Sequence, residues 1–169
     1  MNMVYLLLYV IAAMIVGFVM VKTYQEKDRM RRYVIVLLAL AMICIVSYSV
    51  NFMTDNYNVM SAATSIMMAA QDFLLVSLFI YTTEFARISN KVTKVMTIAA
   101  FVIAIIDSVV FIANIFNEIA VKYSLVKCDG IYVLGYEGEL WFGIHAVMSM
   151  IITACIIAVS VSYTHLRAH

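Results

Sequence analysis

The strongest constraint on this chain is a series of five apolar runs, each about twenty residues long. The runs cover residues 3–21, 33–53, 59–86, 95–116 and 140–160. A helix of about 20 residues is long enough to cross the roughly 30 Å hydrocarbon layer of a bilayer. Because lipid offers no hydrogen-bond partners to the backbone, each run is predicted to be a helix. The predicted fold class is all-α, a polytopic transmembrane helix bundle with five spans.

The composition excludes a soluble domain of this size. Of 169 residues, 66% are hydrophobic and 12% are charged, and the mean hydropathy is +1.02. The interior of a small soluble domain cannot hide that much apolar surface. The lipid bilayer is therefore the predicted partner, and a net charge of +1 gives no reason to expect nucleic acid. Only Met1 and Asn2 precede the first run, which therefore resembles a retained span more than a cleaved signal.

Orientation follows from the positive charges, which favour the cytoplasmic side of a membrane protein. They concentrate in the first and third connections, in Lys22, Lys27, Arg29, Arg31, Arg32, Arg87, Lys91 and Lys94. These basic loops are predicted to be cytoplasmic. The N-terminus and the loop 117–139 are then predicted to be outside, and the location to be the cell inner membrane.

The 117–139 loop differs in kind from the other connections. It is rich in charges and contains three of the five glycines. Residues 122–128 and 131–136 alternate weakly around Asp129-Gly130, a dipeptide that favours tight turns. This pattern predicts a small extracytoplasmic β-hairpin.

Ionisable side chains at membrane depth are the candidate functional residues, because each costs about 2.5–3.5 kcal/mol or more to place there. Asp72 lies in the middle of the third run and Asp107 near the middle of the fourth. The short loop between these runs predicts antiparallel neighbours, with the two carboxyl groups near one level. At helical spacing, Ser65 shares a face with Asp72, and Asn114 shares a face with Asp107. His145 lies about one and a half turns inside the fifth run, and completes the candidate polar site.

Two interpretations of these residues stay open. They form either a polar pocket that receives a ligand or a proton from outside, or interhelical hydrogen bonds between protonated carboxyl groups. No Lys or Arg lies within the five runs, so no internal salt bridge is expected. No catalytic, metal-binding or cofactor motif is present, and Cys44, Cys128 and Cys155 are predicted to be unpaired thiols. The chain itself is therefore predicted to have no enzymatic activity and no cofactor.

Three stretches resemble a known family: SIMMAAQDFLLVSLFIYTTEF, IIDSVVFIANIFNEIAVKYSL and LWFGIHAVMSMIITACIIAV. They are similar to the third, fourth and fifth helices of the seven-helix membrane sensory region that precedes bacterial histidine kinases. A related form precedes GGDEF-type diguanylate cyclases. The resemblance implies that residues 1–160 are a sensory input domain, that an output domain follows the last helix, and that a homodimer forms. Asn117-Glu118 stands where kinase members often carry a histidine, which favours the diguanylate cyclase type.

The last nine residues, VSYTHLRAH, resemble translated read-through of a sequencing adapter. Residues 161–169 are therefore expected to be an artefactual tail, and the chain to be the first five helices of a longer protein. The resulting interpretation is a truncated input module that senses an unidentified small-molecule or physical signal, outside or within the membrane. Two alternatives remain: part of a small transporter, or a structural or partner-binding membrane protein.

Overall fold

The computed structural model describes residues 3–88, 90–128 and 131–168. Within these ranges the elements are α1 (Met3–Gln25), α2 (Arg31–Val50), α3 (Tyr57–Phe85), α4 (Lys91–Asn117), β1 (Val121–Cys128), β2 (Ile131–Gly138) and α5 (Leu140–Ala168). All five helices are long and apolar enough to cross a membrane. The predicted all-α transmembrane bundle with five spans is confirmed. Helix α5 continues through residues 161–168, and the adapter origin of that segment stays a prediction.

Asparagine caps determine where the third and fourth helices begin. The Asn56 side chain accepts hydrogen bonds from the first backbone N–H groups of α3, and Asn90 accepts one from the Thr93 N–H at 2.7 Å. Such caps satisfy donors that have no partner inside the helix. Beyond the helix ends, Arg87 and Glu118 adopt left-handed backbone angles, with φ of 54° and 50°. The turn at Arg87 lies between α3 and α4, which are antiparallel neighbours, and the turn at Glu118 leads from α4 towards β1.

Helix α3 is the centre of the bundle, and it packs against α2, α4 and α5. Its buried face carries small residues that allow backbones to approach closely, which suits helix association in lipid. These are Ser61, Ala63, Thr64, Ser65, Ala69 and Ala70. Helix α1 packs against α2 and has no buried residue, as expected for a helix whose apolar side chains face lipid.

One ion pair places the two basic connections at the same end of the bundle. Arg29 in the first connection contacts Glu84 near the end of α3, with 3.3 Å between Nη2 and Oε2. The third connection begins directly after that end of α3. Both groups of predicted cytoplasmic cations therefore lie together, as the positive-inside rule requires. The side of the membrane that they face stays a prediction.

The predicted hairpin is confirmed. Strands β1 and β2 pair antiparallel, from Val121 opposite Gly138 to Cys128 opposite Ile131. The Asp129-Gly130 turn lies outside the described residues. The hairpin lies at the end of the bundle where α3 begins, since the Tyr57 hydroxyl is 3.4 Å from the Tyr123 carbonyl oxygen.

Candidate functional site

Three ionisable side chains from three different helices meet inside the bundle. His145 Nδ1 in α5 lies 2.6 Å from Asp107 Oδ2 in α4 and 3.2 Å from Asp72 Oδ1 in α3. All three side chains are at most 8% exposed. We call these residues the Asp–His–Asp cluster.

The lengths of the three helices bring the cluster to one level. With a rise of about 1.5 Å per residue, Asp72 is about 22 Å from the start of α3 and Asp107 about 15 Å from the end of α4. His145 is only about 7.5 Å from the start of α5. Helices α3 and α4 therefore extend beyond the first turn of α5, and the hairpin occupies the space above it. The cluster lies below the hairpin, at membrane depth.

Neighbouring side chains fix the orientation of the cluster. Trp141, one turn before His145 on α5, donates its indole N–H to Asp107 Oδ1 at 2.7 Å, so Asp107 Oδ2 is left for the histidine. The rings of Phe111 and Phe142 pack on His145, with centroids 4.8 and 6.2 Å away. These contacts hold the imidazole between the carboxyl groups and separate it from lipid.

One atom of the cluster lacks a partner. Asp72 Oδ2 is buried and has no hydrogen bond within the described residues. An unpaired polar atom at this depth is costly, because neither lipid nor an apolar side chain replaces the hydrogen bonds of water. The cluster is therefore under-satisfied, and this acceptor is available to a ligand.

The expectation that no internal ion pair is available was wrong in one respect. It considered Lys and Arg, and the cation is instead supplied by a histidine, which pairs with both carboxyl groups when protonated. Interhelical hydrogen bonding does occur, and the imidazole of His145 contacts both carboxyl groups.

Asn114 and Ser65, the other two predicted site residues, lie in a second cluster nearer the hairpin. The Asn114 side chain accepts from the Ala120 and Val121 N–H groups at 2.7 and 3.0 Å, and donates to the Val121 carbonyl at 3.0 Å. Ser65 Oγ lies 3.2 Å from the Tyr123 hydroxyl. These contacts attach the first residues of β1 to α3 and α4. We call Asn114, Ser65, Tyr123 and the 120–121 backbone the hairpin anchor.

Electrostatic contacts in the connection between α4 and α5 reinforce the hairpin anchor. Burial raises the pKa of the Tyr123 hydroxyl above its ordinary value, so it remains protonated and available to Ser65. Lys122 pairs with Glu139 at 2.5 Å, and this hydrogen bond raises the pKa of the exposed lysine. The Tyr57 hydroxyl donates to the Glu118 carboxylate. The base of the hairpin is thus joined to α3 and to the start of α5.

The Asp–His–Asp cluster offers an imidazole and two carboxyl groups within a space where their ligand atoms lie no more than 4.8 Å apart. Such a set can hold a proton or a cation. No serine, threonine or cysteine nucleophile contacts these three groups within the described residues.

Sequence reasoning missed Trp141 as a site residue. The signal that could have found it is spacing, because residues four apart on a helix lie on one face. Tyr123 and Tyr57 were missed as anchors, since their contacts depend on how the hairpin sits on the bundle.

Comparison with known proteins gives one family. Searches of curated proteins and of solved structures found no match. The family described as the N-terminal 7TM region of histidine kinase matches residues 5–168. Because the match covers nearly the whole chain, the resemblance predicted from the third, fourth and fifth runs is confirmed. The chain belongs to the N-terminal 7TM region of histidine kinase family, and it is a membrane sensory region.

Proposed function

We propose that this chain is the sensory input module of a bacterial signal-transduction protein of the inner membrane, and that the Asp–His–Asp cluster receives its signal. The observation that carries the proposal is the burial of three ionisable side chains, from three helices, in a protein of a sensory family. Ionisable groups at membrane depth are costly and usually functional.

The mechanism follows from the position of the cluster. Each residue lies on a different helix, so any ligand that changes their separation moves α5 relative to α3 and α4. A ligand shifts such an equilibrium only by its difference in affinity for the two arrangements. Helix α5 runs from the cluster towards the predicted cytoplasmic side, and it carries the shift in that direction.

The output is proposed to be a histidine kinase, as the description of the family suggests. A diguanylate cyclase is the second candidate, and Asn117-Glu118, in the place of the histidine found in many kinase members, favours it. Reading the genomic locus beyond residue 160 tests both. A downstream in-frame kinase or GGDEF domain supports the module, whereas a gene with neither contradicts it.

The role of the cluster is tested in the bacterium that carries the gene. Asp107→Asn and His145→Gln are introduced separately on the chromosome, and transcripts are compared with those of the parent and of a gene deletion. Both variants are expected to change the levels of the same transcripts that the deletion changes, whether those levels rise or fall. Asp55→Asn, in the exposed connection before α3, is the matched control and should behave as the parent.

Immunoblots of membrane fractions establish that each variant is inserted in parental amounts. If inserted Asp107→Asn and His145→Gln both leave the transcripts of the parent unchanged, the cluster does not receive the signal. Asp72→Asn provides a third variant, should one of the two fail to accumulate.

A further inference from the structure

The donor atoms of the Asp–His–Asp cluster are spaced almost as metal ligands. A tetrahedral Zn²⁺ ion with bonds of about 2.0–2.2 Å holds its ligand atoms roughly 3.3–3.6 Å apart. His145 Nδ1 and Asp72 Oδ1 are already 3.2 Å apart, and Asp107 Oδ2 is 2.6 Å from the same nitrogen. The distance between His145 Nδ1 and Asp107 Oδ2 must widen by roughly 0.7–1 Å for both atoms to bind one such ion.

The charge of the cluster favours a dication. For both Asp72 and His145, the charged groups that act on the residue are the other two members of the cluster. Two ionised carboxylates with a protonated histidine leave one net negative charge at membrane depth, and with a neutral histidine they leave two. A divalent ion bound to two carboxylates and a neutral imidazole is electrically balanced, which lowers the cost of burial.

The surroundings resemble the outer shell of a metal site. Trp141 holds one oxygen of Asp107 and directs the other towards His145, as outer-shell donors orient carboxylate ligands. The unpaired Asp72 Oδ2 is a further acceptor that a bidentate contact or a metal-bound water would satisfy. The anchor in which Asn114 takes part has no such vacancy, because its buried polar groups are already paired.

We propose that Asp72, Asp107 and His145 bind a divalent first-row transition-metal ion such as Zn²⁺, and that its occupancy is what the input module senses. The second half of this statement rests on the proposed function, whereas the first half does not. Binding places the ion on His145 Nδ1 and displaces the proton that this nitrogen shares with the carboxylates, which leaves to solvent or moves to Nε2. One nitrogen and few oxygens suit Zn²⁺ better than Mg²⁺ or Ca²⁺, which prefer six or more oxygen ligands.

The test measures bound metal in the full chain, reconstituted in lipid nanodiscs. His165 and His169 are first replaced by Asn, because histidines near a chain end bind metal adventitiously. After equilibrium dialysis against Zn²⁺, elemental analysis is expected to give about one ion per chain. Excess Mg²⁺ should not displace it. The absorption spectrum of the protein loaded with Co²⁺ in place of Zn²⁺ should lack a thiolate-to-metal charge-transfer band. Its absence would exclude Cys44, Cys128 and Cys155 as ligands.

Variants identify the ligands. Asp72→Asn, Asp107→Asn and His145→Gln are each expected to weaken Zn²⁺ binding by more than about 100-fold, and Trp141→Phe by about 10-fold or more. Asp55→Asn is the matched control and should bind as the parent does. Circular dichroism in the nanodisc establishes that each variant keeps its helices. Trp141 is the only tryptophan, so its emission should change on Zn²⁺ addition to the parent and not to His145→Gln.

The results separate the two proposals. Absence of stoichiometric Zn²⁺ in the parent, or binding that survives both Asp107→Asn and His145→Gln in helical protein, overturns the metal site. If that happens while the chromosomal variants still alter transcripts, the sensory cluster stands with a different ligand. If Zn²⁺ binds and the chromosomal variants change nothing, the metal site stands and the sensory role of the cluster falls.

Discussion

The two buried polar clusters of this protein differ in how completely they are satisfied. In the hairpin anchor, both polar atoms of the Asn114 side chain have partners, as do the backbone groups of residues 120–121 that they contact. In the Asp–His–Asp cluster the groups are ionisable, one imidazole nitrogen serves two carboxyl groups, and Asp72 Oδ2 has no partner. A neutral, closed network stabilises one arrangement. An ionisable, open network responds to what binds to it.

Removing the histidine should have the largest effect on stability. His145→Ala leaves two carboxyl groups facing each other without a cation, and loss of one member of a buried ion pair costs about 3–5 kcal/mol. The free energy of unfolding in mixed detergent micelles measures this. The triple variant with Asp72→Asn and Asp107→Asn added should recover part of the loss. If His145→Ala alone costs no more than Thr153→Ala, whose hydroxyl bonds only to its own helix, the cluster is not a coupled unit.

Disruption of the hairpin anchor should cause the second largest loss of stability. Asn114→Ala leaves two N–H groups and one carbonyl buried without partners, which should cost about 2–4 kcal/mol in all. Hydrogen exchange should accelerate at Ala120 and Val121, where the lost bonds were. The Trp141 emission of the variant should stay that of the parent, since the two clusters use different groups. A change in emission as large as that of His145→Gln would mean that the clusters are one unit.

A smaller loss of stability is expected from a substitution at Tyr123. Tyr123→Phe removes one hydrogen bond to Ser65, which should cost about 0.5–1.5 kcal/mol. Tyr136→Phe, on the exposed side of the hairpin, is the matched control and should cost less than about 0.5 kcal/mol. Equal losses in the two variants would show that the buried hydroxyl adds nothing to the anchor.

The smallest loss of stability is expected at the end of the bundle that lies away from the hairpin. Arg29→Ala removes an ion pair in which the arginine side chain is 83% exposed, so the loss should be under about 0.5 kcal/mol. High salt should reduce it further. A loss comparable to that of Asn114→Ala would indicate that this contact is part of the packed interior.

Much of the architecture could be predicted because lipid imposes simple rules. Apolar runs gave the five helices, and alternation around Asp129-Gly130 gave the hairpin. Antiparallel neighbours joined by a short loop placed Asp72 and Asp107 near one level. Each of these inferences depends on local sequence and on the thickness of the bilayer.

The partners of individual residues could not be predicted in the same way. They depend on how each helix is rotated and how deeply it begins. The start of α5 lies deeper in the bundle than the hairpin-side ends of α3 and α4. His145 therefore contacts the two aspartates, and Asn114 contacts the hairpin. No metal motif was visible either, because the three candidate ligands come from three helices and not from one short segment.

A double-mutant cycle on Asp107 and His145 tests most directly whether the cluster is one coupled site. The unfolding free energies of Asp107→Asn, His145→Gln and the double variant are compared with that of the parent in the same micelles. We expect the double variant to differ from the sum of the single losses by more than about 1 kcal/mol, because the two side chains share one hydrogen bond. Single losses that add within about 0.3 kcal/mol would contradict the account.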